Sequence, residues 1–466
     1  MKFEIIRFLL LSITNNIKMK SSKKILIITY YWPPAGGPGV QRWLKFVKYL
    51  PAFGWKPTVY IPENPSYPLL DETLVREVPA GLDIIKNKIW EPYQLAEFFG
   101  KDNKKFKAGQ FDVGTNQSWK SRLSIWIRGN FFIPDARVFW VKPSVKFLKK
   151  YLKENHFDAF VTTGPPHAMH LIGLELKQEF PNLKWLADFR DPWTEISYYK
   201  HLKLTKTSDR KHRKLEQRVF DEADLTVATS FTDAENFRKK GANAVCITNG
   251  FDEVKAKAKA KAKVEVEVEV EVEVEKKGKF TLSYIGVLEQ LRNPEVLWTV
   301  LNELISKNEN FKNDFELKFV GRIDDKILKE VENSGLKNSI NNLGYLSHAE
   351  ANAEMCKSDV LLLTNFPDES SKGIIPGKFF EYLATGKQII SFGPKDSDVK
   401  KILDETQAGA HFTYRDFDAV KSFILQKFET WKSGTLSSET RNIEQFSRKN
   451  LTKKLAALLN DYVGIQ

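Results

Sequence analysis

The chain has little cysteine. Its 466 residues include two, Cys246 and Cys356, which lie far apart and in no Cys/His pattern of metal-ligand spacing. This argues against a disulfide framework and against a zinc site of the familiar spacings. A reducing, cytoplasmic setting fits this composition best.

Long hydrophobic runs are also missing. The apolar stretch from Ile5 to Ile13 is much shorter than the ~20 residues that a transmembrane helix needs. No small-residue cleavage site follows it, so a signal peptide is not indicated. We expect residues 1–18, ahead of Met19, to be an upstream extension, and residues 1–22 to lie outside the fold. An interfacial anchor is the alternative.

Two nucleotide-binding signatures are absent as well. "DEAD" occurs at Asp221–Asp224, but the chain contains no G-x-x-x-x-G-K-[ST] phosphate loop, which excludes a helicase of that class. "GPGVQR" at Gly37–Arg42 begins like a dinucleotide fingerprint and lacks its third glycine.

The chain is rich in core-forming residues and in positive charge. Hydrophobic residues make up 42% and the formal net charge is +13. The length allows two or three domains, each with its own core. The charge favours anionic partners such as phosphates, nucleic acid or lipid headgroups, without choosing among them.

Apolar, β-rich runs alternate with helical periodicity along most of the chain. They read KILIITY, HFDAFVTTG, LKWLADF, ADLTVATS, AVCITNG, FTLSYIG, FELKFVGR, SDVLLLTN and KQIISFG. Strands that alternate with helices predict parallel sheets, and the two groups of runs predict two α/β domains. We place the first domain at residues 23–250 and the second at residues 280–435.

A low-complexity repeat, "KAKAKAKAKVEVEVEVEVEVE", runs from Lys255 to Glu275 between these domains. A hairpin pairing Lys with Glu is possible, but the repeat has no turn residue and its alanines are weak strand formers. We predict a disordered or loosely paired linker at residues 251–279, with a functional polyelectrolyte as the alternative. We expect residues 436–466 to form a helix that packs back toward the first domain.

Two loops carry candidate ligand-binding glycines. In "TYYWPPAGGPGVQR", Gly36, Gly37 and Gly39 lie between a strand and a helix, where a ligand can approach the backbone and the helix N-terminus favours an anion. A tight turn is the alternative. In "SSKGIIPGKFFEYLATGK", a phosphate could rest on the loop while the carboxylate of Glu381 binds vicinal hydroxyls, which suits a nucleotide diphosphate sugar.

With these motifs the chain resembles glycosyltransferase family 4 over about residues 23–460, apart from the repeat. The resemblance rests on the first glycine loop, TTGPPHAMHLIG, ADFRDPW, ITNGFDE, YIGVLEQLRNP, LGYLSHAEANAEMCKSDVLLLTN and GKFFEYLATGK. It implies the α/β GT-B fold, with two Rossmann-like domains facing each other across a cleft, and retaining sugar transfer. It also implies no metal and no cofactor, because helix ends and cations neutralise the leaving diphosphate.

The resemblance also implies roles for individual residues. Glu381 matches the second glutamate of the E-x7-E motif, which binds the nucleotide ribose, and Gly37 matches the diphosphate-facing loop. Arg292 stands where the family has a diphosphate-binding lysine, and His167 matches the histidine beside the transferred sugar. The implied catalytic residues are His167, Arg292 and Glu381; the implied donor-binding residues are Gly36, Gly37, Gly286, Arg292, Gly373, Gly377, Lys378 and Glu381. As alternatives, Arg292 is a surface charge and His167 a structural loop histidine.

The chain departs from the family at two positions. Gly373 replaces the first glutamate of the motif, and Val287 replaces the arginine that often follows Gly286. These changes remove one carboxylate that would orient the donor sugar and one cation from the diphosphate site. Substitutes could come from Asp368, Glu369 or Arg322.

Three charged residues follow another predicted strand. In "WLADFRDPW", Asp188, Arg190 or Asp191 could meet an acceptor hydroxyl, and an internal Asp–Arg pair is the alternative. The nearest acidic pair, in "IDDK", does not indicate a metal site.

The stretch from Ser118 to Asn155 mixes aromatic and basic residues, including Trp126, Trp140, Lys149 and Lys150. This composition is typical of a surface that contacts lipid headgroups and acyl chains. Aromatic core packing beneath solvated lysines is the alternative.

We therefore expect a cytoplasmic, retaining glycosyltransferase of hexosyltransferase type in polysaccharide biosynthesis, peripheral on the inner face of the plasma membrane. Its partners would be a nucleotide diphosphate sugar, a glycan or lipid-linked acceptor and an anionic membrane, with no nucleic acid. The alternatives are a nucleotide-sugar 2-epimerase of the same fold and a non-catalytic basic scaffold for membranes or polyanions.

Overall fold

The computed structural model describes residues 22–91, 119–196, 199–252, 278–435 and 440–464. The expected extension, for residues 1–21, and the repeat from Lys255 to Glu275 lie outside the described residues. The chain divides into two compact units, Met1–Thr226 with Thr452–Gln466, and Val227–Leu451. The domain boundaries drawn from the sequence stay predictions.

The first sheet has seven strands in the order β3-β2-β1-β4-β5-β6-β7. Its strands are β1 (Lys23–Ile28), β2 (Trp55–Pro62), β3 (Asp83–Asn87), β4 (Ala159–Gly164), β5 (Lys184–Phe189), β6 (Leu225–Ala228) and β7 (Ala244–Cys246). The pairs β1–β2, β1–β4, β2–β3 and β4–β5 are parallel. The helices along this part of the chain are α1 (Pro38–Tyr49), α2 (Trp119–Phe131), α3 (Val138–Glu154), α4 (Ala168–Glu179), α5 (Lys206–Glu222) and α6 (Phe231–Lys239).

The second sheet has six strands in the order β10-β9-β8-β11-β12-β13, and all its neighbouring pairs are parallel. Its strands are β8 (Phe280–Ile285), β9 (Phe315–Val320), β10 (Ile340–Asn342), β11 (Val360–Thr364), β12 (Gln388–Phe392) and β13 (Gly409–Phe412). The helices are α7 (Glu295–Lys307), α8 (Glu309–Asp314), α9 (Asp325–Val331), α10 (His348–Lys357), α11 (Gly377–Thr385), α12 (Asp398–Thr406), α13 (Phe417–Lys432) and α14 (Arg448–Val463).

Short helical turns connect these elements. They are Leu50–Phe53, Glu72–Glu77, Tyr199–Leu202, Gln290–Arg292, Glu332–Leu336, Lys337–Ser339, Glu369–Ser371 and Ile443–Phe446. None of the helices in the described ranges is both long and apolar enough to cross a bilayer.

The interior strands form because their sequences are apolar on both faces. All six residues of β4 and of β8 are buried, as are all five residues of β11 and of β12. Such runs are expected where helices cover both faces of a parallel sheet. The nine strands predicted from apolar runs are confirmed.

Four strands have no counterpart among the predicted apolar runs. Three of them, β3, β10 and β13, lie at the edges of the sheets and are only partly buried, so they lack a continuous apolar run. The fourth, β2, carries Pro57 and Pro62, and proline is usually evidence against an interior strand.

The aromatic and basic stretch divides between core and surface. Trp140 is fully buried and stacks on Tyr60 with ring centroids 5.1 Å apart, so its expected surface position was wrong. Neighbouring Phe131, Phe139 and Phe147 are exposed. On α3 the helical period explains the division, because this helix turns one face to the sheet and the other to solvent, while Phe131 is the last residue of α2.

Replacing Trp140 with Ser should lower the free energy of unfolding by about 3–5 kcal/mol, because it leaves a large cavity in the core. Replacing the half-buried Trp126 with Ser on the preceding helix should cost much less. Urea denaturation of both variants measures the difference. Equal losses would contradict the assignment of Trp140 to the core.

Candidate functional site

The loop between β1 and α1 is shaped by glycine. Gly37 has φ +104° and caps α1, a conformation that few other residues adopt readily. A Cβ atom on Gly39 would lie 1.5 Å from Nη1 of Arg190, so this glycine makes room for the guanidinium. Gly36 donates its backbone N–H to Leu69 O at 3.0 Å. The structure thus brings Arg190 to the predicted glycine loop.

The carboxylate of Asp188 is enclosed by donors. Arg42 Nη2 lies 2.9 Å from Oδ1, while Trp43 Nε1 and Thr163 Oγ1 donate to Oδ2 at 2.7 and 2.8 Å. Burial acts to raise the pKa of Asp188, but the charge and hydrogen bonds of Arg42 outweigh it and hold the pKa below its usual range. The partner in the internal Asp–Arg pair is therefore Arg42. With its oxygens occupied, Asp188 holds α1 against the sheet.

The other two predicted acceptor-side residues lie in the loop after β5. Arg190 Nη2 donates to Pro165 O, and its guanidinium lies 5.9 Å from the ring centroid of Tyr31. Asp191 is exposed at the surface. Desolvation by the protein on its inner side raises the pKa of its carboxyl, and the charge of Arg190 acts to lower that pKa. Asp191 is the carboxylate of this motif that an outside group can reach.

His167 lies at the start of α4, 6% exposed, and stacks on Trp193 with centroids 5.0 Å apart and planes 6° apart. Both of its ring nitrogens are buried without a hydrogen-bond partner among the described residues. Burial holds the pKa of His167 well below its usual value, and the charges of His170 and Arg190 act the same way. A neutral imidazole offers one donor and one acceptor to a ligand.

Trp193 is itself held in place. Its Nε1 donates to Nδ1 of His212 at 3.0 Å, and the next residue, Thr194, donates to Glu216 through its backbone N–H and its hydroxyl. His212 and Glu216 both lie on α5. This helix therefore fixes the ring on which His167 stacks.

Two glycines touch at the carboxyl edge of the second sheet. Gly286 and Gly321, which follow β8 and β9, have φ +121° and +115°. A Cβ atom on Gly321 would lie 2.3 Å from the carbonyl oxygen of Gly286. A side chain at Gly321 is thus excluded, and the backbone of the two glycines, uncovered by side chains of their own, is half-buried.

Lys378, in the first turn of α11, lies beside this backbone. Its Nζ donates to Ile285 O at 3.1 Å and lies 3.9 Å from the ring centroid of Tyr284. Burial, together with the charge of Arg292, lowers the pKa of Lys378 to about 7, while the charge of Glu381 acts to raise it. The lysine is therefore close to losing its charge near neutral pH.

Arg292 is the second cation of this group. Its Nη2 donates to Val287 O at 3.1 Å and to Glu289 Oε2 at 3.2 Å, and its guanidinium lies 5.4 Å from the ring centroid of Phe366. Its Nε is buried without a hydrogen-bond partner in the part of the chain that the structure describes. One donor of Arg292 is thus available.

Glu381 follows Lys378 by three residues on α11, so both side chains lie on the same side of the helix. Its side chain is 42% exposed, and Oε1 lies 3.6 Å from Nε2 of His348. Burial raises the pKa of Glu381, while His348, Arg448 and Lys378 lower it. The structure therefore groups Gly286, Arg292, Lys378 and Glu381, and the roles that the resemblance implies for them stay predictions.

Gly373 makes different contacts. A Cβ atom there would lie 3.0 Å from Ser230 Oγ and 3.2 Å from Thr232 Cβ, at the start of α6. This position has little room for the glutamate of the family motif. Gly377, the first residue of α11, is exposed, and so are the proposed substitutes Asp368, Glu369 and Arg322. The structure does not bring Gly373 to Lys378 through any contact that it records.

Sequence reasoning missed several residues of these sites. Arg42 ends the quoted glycine motif and Trp43 follows it, but their contacts with Asp188 span 146 and 145 positions of the chain, and no local pattern signals them. Trp193 lies in "ADFRDPW", and an aromatic residue after a strand end was the available signal.

The second group of residues can hold a diphosphate next to hydroxyl groups. Two cations lie beside the backbone at Gly286, and the N-terminus of α11 favours an anion. A carboxylate lies one turn along the helix and accepts hydrogen bonds. Among the described residues, no set of three or more His, Cys, Asp or Glu side chains is arranged to hold a metal ion. Metal independence stays a prediction.

Comparison with known proteins finds solved structures that are similar to this chain. No family model matches the chain, and no curated protein matches its sequence. A crystal structure of a glycosyltransferase from Rickettsia africae ESF-5 matches with a TM-score of 0.53 at 14% identity, covering 96% of this chain and 100% of that one. Sucrose-phosphate synthase from Thermosynechococcus elongatus matches with a TM-score of 0.55 at 13% identity, covering 95% and 100%. Anabaena Alr3699/HepE, in complex with UDP-glucose, matches with a TM-score of 0.52 at 14% identity, covering 94% and 99%.

These likenesses establish the fold. The chain is an α/β protein of the GT-B fold, with one parallel sheet of seven strands and another of six. The fold class predicted from the sequence is confirmed. At this level of identity the fold alone follows, and the chemistry must be argued from the residues.

Replacing Asp188 with Ala should lower the free energy of unfolding by about 3–5 kcal/mol, because Arg42 would remain buried without its partner. Replacing the exposed Asp191 with Ala is the matched control and should cost little. Urea denaturation followed by tryptophan fluorescence measures both. A stable Asp188→Ala protein would show that the pair does not hold α1 to the sheet.

Proposed function

We propose that this protein is a retaining glycosyltransferase that moves a sugar from a nucleotide diphosphate sugar to a glycan or lipid-linked acceptor. The observation that carries the proposal is the group of Lys378 and Arg292 beside the uncovered backbone at Gly286, with Glu381 one turn along α11. The family resemblance and the likeness to glycosyltransferase structures support it.

Each residue of the group has a distinct task. The diphosphate lies on the N-terminus of α11 and between the two cations, which stabilise the negative charge that develops as the sugar leaves. Glu381 accepts hydrogen bonds from the ribose hydroxyls. Because Lys378 and Arg292 supply positive charge, Val287 in place of the family arginine does not leave the diphosphate site without cations.

The first unit supplies groups for the sugars. His167 is neutral, and its ring nitrogens can donate to one hydroxyl and accept from another. Asp191 is accessible and has a raised pKa, which suits a group that receives a hydrogen bond from an acceptor hydroxyl. Asp188 has a structural role, since its carboxylate forms an ion pair with Arg42.

The protein is further proposed to act on the inner face of the plasma membrane, bound through anionic lipids. The exposed Phe131, Phe139 and Phe147 and the lysines of α3 support this.

A test with donor alone separates transfer from epimerisation, since an epimerase of this fold turns over the sugar nucleotide without any acceptor.

Donor affinity should decrease as the pH rises through 7. Lys378 is charged below its pKa of about 7 and neutral above it, and only the charged form attracts the diphosphate. Since one proton is involved, the dissociation constant should rise by up to about tenfold per pH unit above 7. Calorimetric titration with a nucleotide diphosphate sugar between pH 6 and 9 measures this.

The matched variant is Lys378→Met, which should bind the donor weakly and with little dependence on pH over the same range. A wild-type affinity that stays constant from pH 6 to 9 would contradict the role given to Lys378.

The variants Glu381→Gln and Arg292→Met should differ in kind. Glu381→Gln keeps the shape but loses the charged acceptor, so it should weaken donor binding by ~1.5–3 kcal/mol. Arg292→Met removes a cation that acts on the leaving group, so it should chiefly lower turnover. Donor titration and single-turnover transfer measure the two effects, with circular dichroism as the check on folding. Wild-type donor affinity in the first variant together with wild-type turnover in the second would remove this donor site.

A further inference from the structure

A groove runs between α3, α4 and α5 in the first unit and has a volume of about 620 Å³. Eleven residues line it: Val138, Phe139, Val141, Lys142, Val145, Lys146, Leu171, Leu174, Glu175, Leu215 and Arg218. None of them belongs to the residues assigned to the donor or the acceptor. The volume is in the range of small-molecule sites.

The floor and walls of the groove are apolar. Val141 and Leu174 are buried at its floor, and Val145, Leu171 and Leu215 form half-buried walls. Along α3 the lining extends from Val138 to Lys146, which is about 12 Å at the rise of an α-helix. The apolar lining thus extends far enough along α3 to contact several carbons of a hydrocarbon chain.

The rim of the groove is positively charged. Lys142 and Lys146 are exposed one turn apart on α3, and neither makes an ion pair with any residue in the described ranges. Further along the same helix, Lys149 and Lys153 are both paired with Glu179, at 3.1 and 2.9 Å. Of the five lysines of α3, Lys142, Lys146 and Lys150 thus have no ion-pair partner among the described residues, and two of these three line the groove.

Charge on the opposite walls is mixed. Arg218 on α5 pairs with Glu222 at 3.4 Å, and Glu175 is the acidic residue of the lining. The three basic side chains of the lining therefore exceed its one acidic side chain. An anion placed at the α3 side of the rim meets both lysines.

One end of the groove continues into an exposed aromatic patch. Phe139 lines the groove and contacts Trp90 and Phe132, with ring centroids 4.9 and 5.7 Å apart. Trp90 is 49% exposed and Phe139 is 41% exposed. Exposed aromatic side chains next to uncompensated lysines are typical of surfaces that enter a lipid headgroup layer.

We propose that this groove binds one acyl chain of an anionic phospholipid, whose phosphate lies on Lys142 and Lys146 while Phe139 and Trp90 enter the headgroup layer. The proposal rests on the membrane partner of the proposed function and makes it specific, since one lipid molecule is bound in a defined site. Nucleic acid would leave the apolar floor unfilled, and a soluble anion would leave it in contact with water.

The test uses the full chain and a lysophosphatidylglycerol with a sixteen-carbon chain, kept below its critical micelle concentration. We expect saturable binding of one molecule per protein. Glycerol 3-phosphate, which lacks the chain, should not bind measurably. Lysophosphatidylcholine, whose headgroup is zwitterionic, should bind several-fold more weakly.

Three variants locate the binding. Val145→Trp fills the groove and should abolish binding. Lys142→Gln with Lys146→Gln should weaken it by about tenfold or more, since each lysine contributes roughly fivefold near an anionic group. Lys149→Gln with Lys153→Gln is the matched control on the same helix and should bind like the wild type. The lysine variants leave the apolar floor and walls of the groove unchanged, so they test the proposal even if Val145→Trp does not fold.

Absence of saturable lysolipid binding, or equal affinity in all the variants, would overturn the proposal. Titration with a nucleotide diphosphate sugar on the same samples separates it from the proposed function. Donor binding without lipid binding would refute the groove alone. Lipid binding that follows the variants, without donor binding, would support the groove and refute the transferase.

Discussion

The close approach of Gly286 and Gly321 is the constraint on which the proposed donor site depends. Both residues adopt left-handed backbone conformations, and a methyl group on Gly321 would overlap the carbonyl of Gly286. A side chain at Gly321 is therefore excluded, and the end of β8 is contacted by the side chains of α11 instead. Lys378, stacked on Tyr284 and bonded to Ile285, is held at the border of this backbone. Desolvation destabilises the charged form of Lys378, and a bound diphosphate would stabilise that form again.

Asp188 in the first unit and the two cations of the proposed donor site in the second are buried charges with opposite surroundings. In the first unit, Asp188 is enclosed by Arg42, Trp43 and Thr163, so its charge stabilises the fold. In the second, Arg292 keeps a buried Nε without a partner among the described residues, and Lys378 meets only a carbonyl and a ring. A charge that is fully paired inside the fold holds structure together, whereas one that is partly paired is ready for a ligand.

Much of the fold could be read from the sequence, because an interior strand of a parallel sheet needs an apolar run. The edge strands β3, β10 and β13 could not be predicted in this way, since they are only partly buried and lack a continuous apolar run. Lys378 and Glu381 could be placed together because three residues on a helix bring side chains to one side. The pairing of Arg42 with Asp188 and the burial of Trp140 depend on contacts between distant parts of the chain. Gly373 shows what a motif comparison cannot supply. The family motif indicated that a carboxylate is absent at this position, and the packing against Ser230 and Thr232 shows that a larger side chain has little room there.

The central claim is that the carboxyl edge of the second sheet binds a nucleotide diphosphate sugar. Thermal unfolding of the protein with a panel of such donors, each compared with its nucleoside monophosphate, tests it most directly. The account predicts that at least one donor raises the midpoint in proportion to the logarithm of its concentration, and that its monophosphate, which lacks the second phosphate, does so much less. A panel in which no donor shifts the midpoint at millimolar concentration would contradict the account.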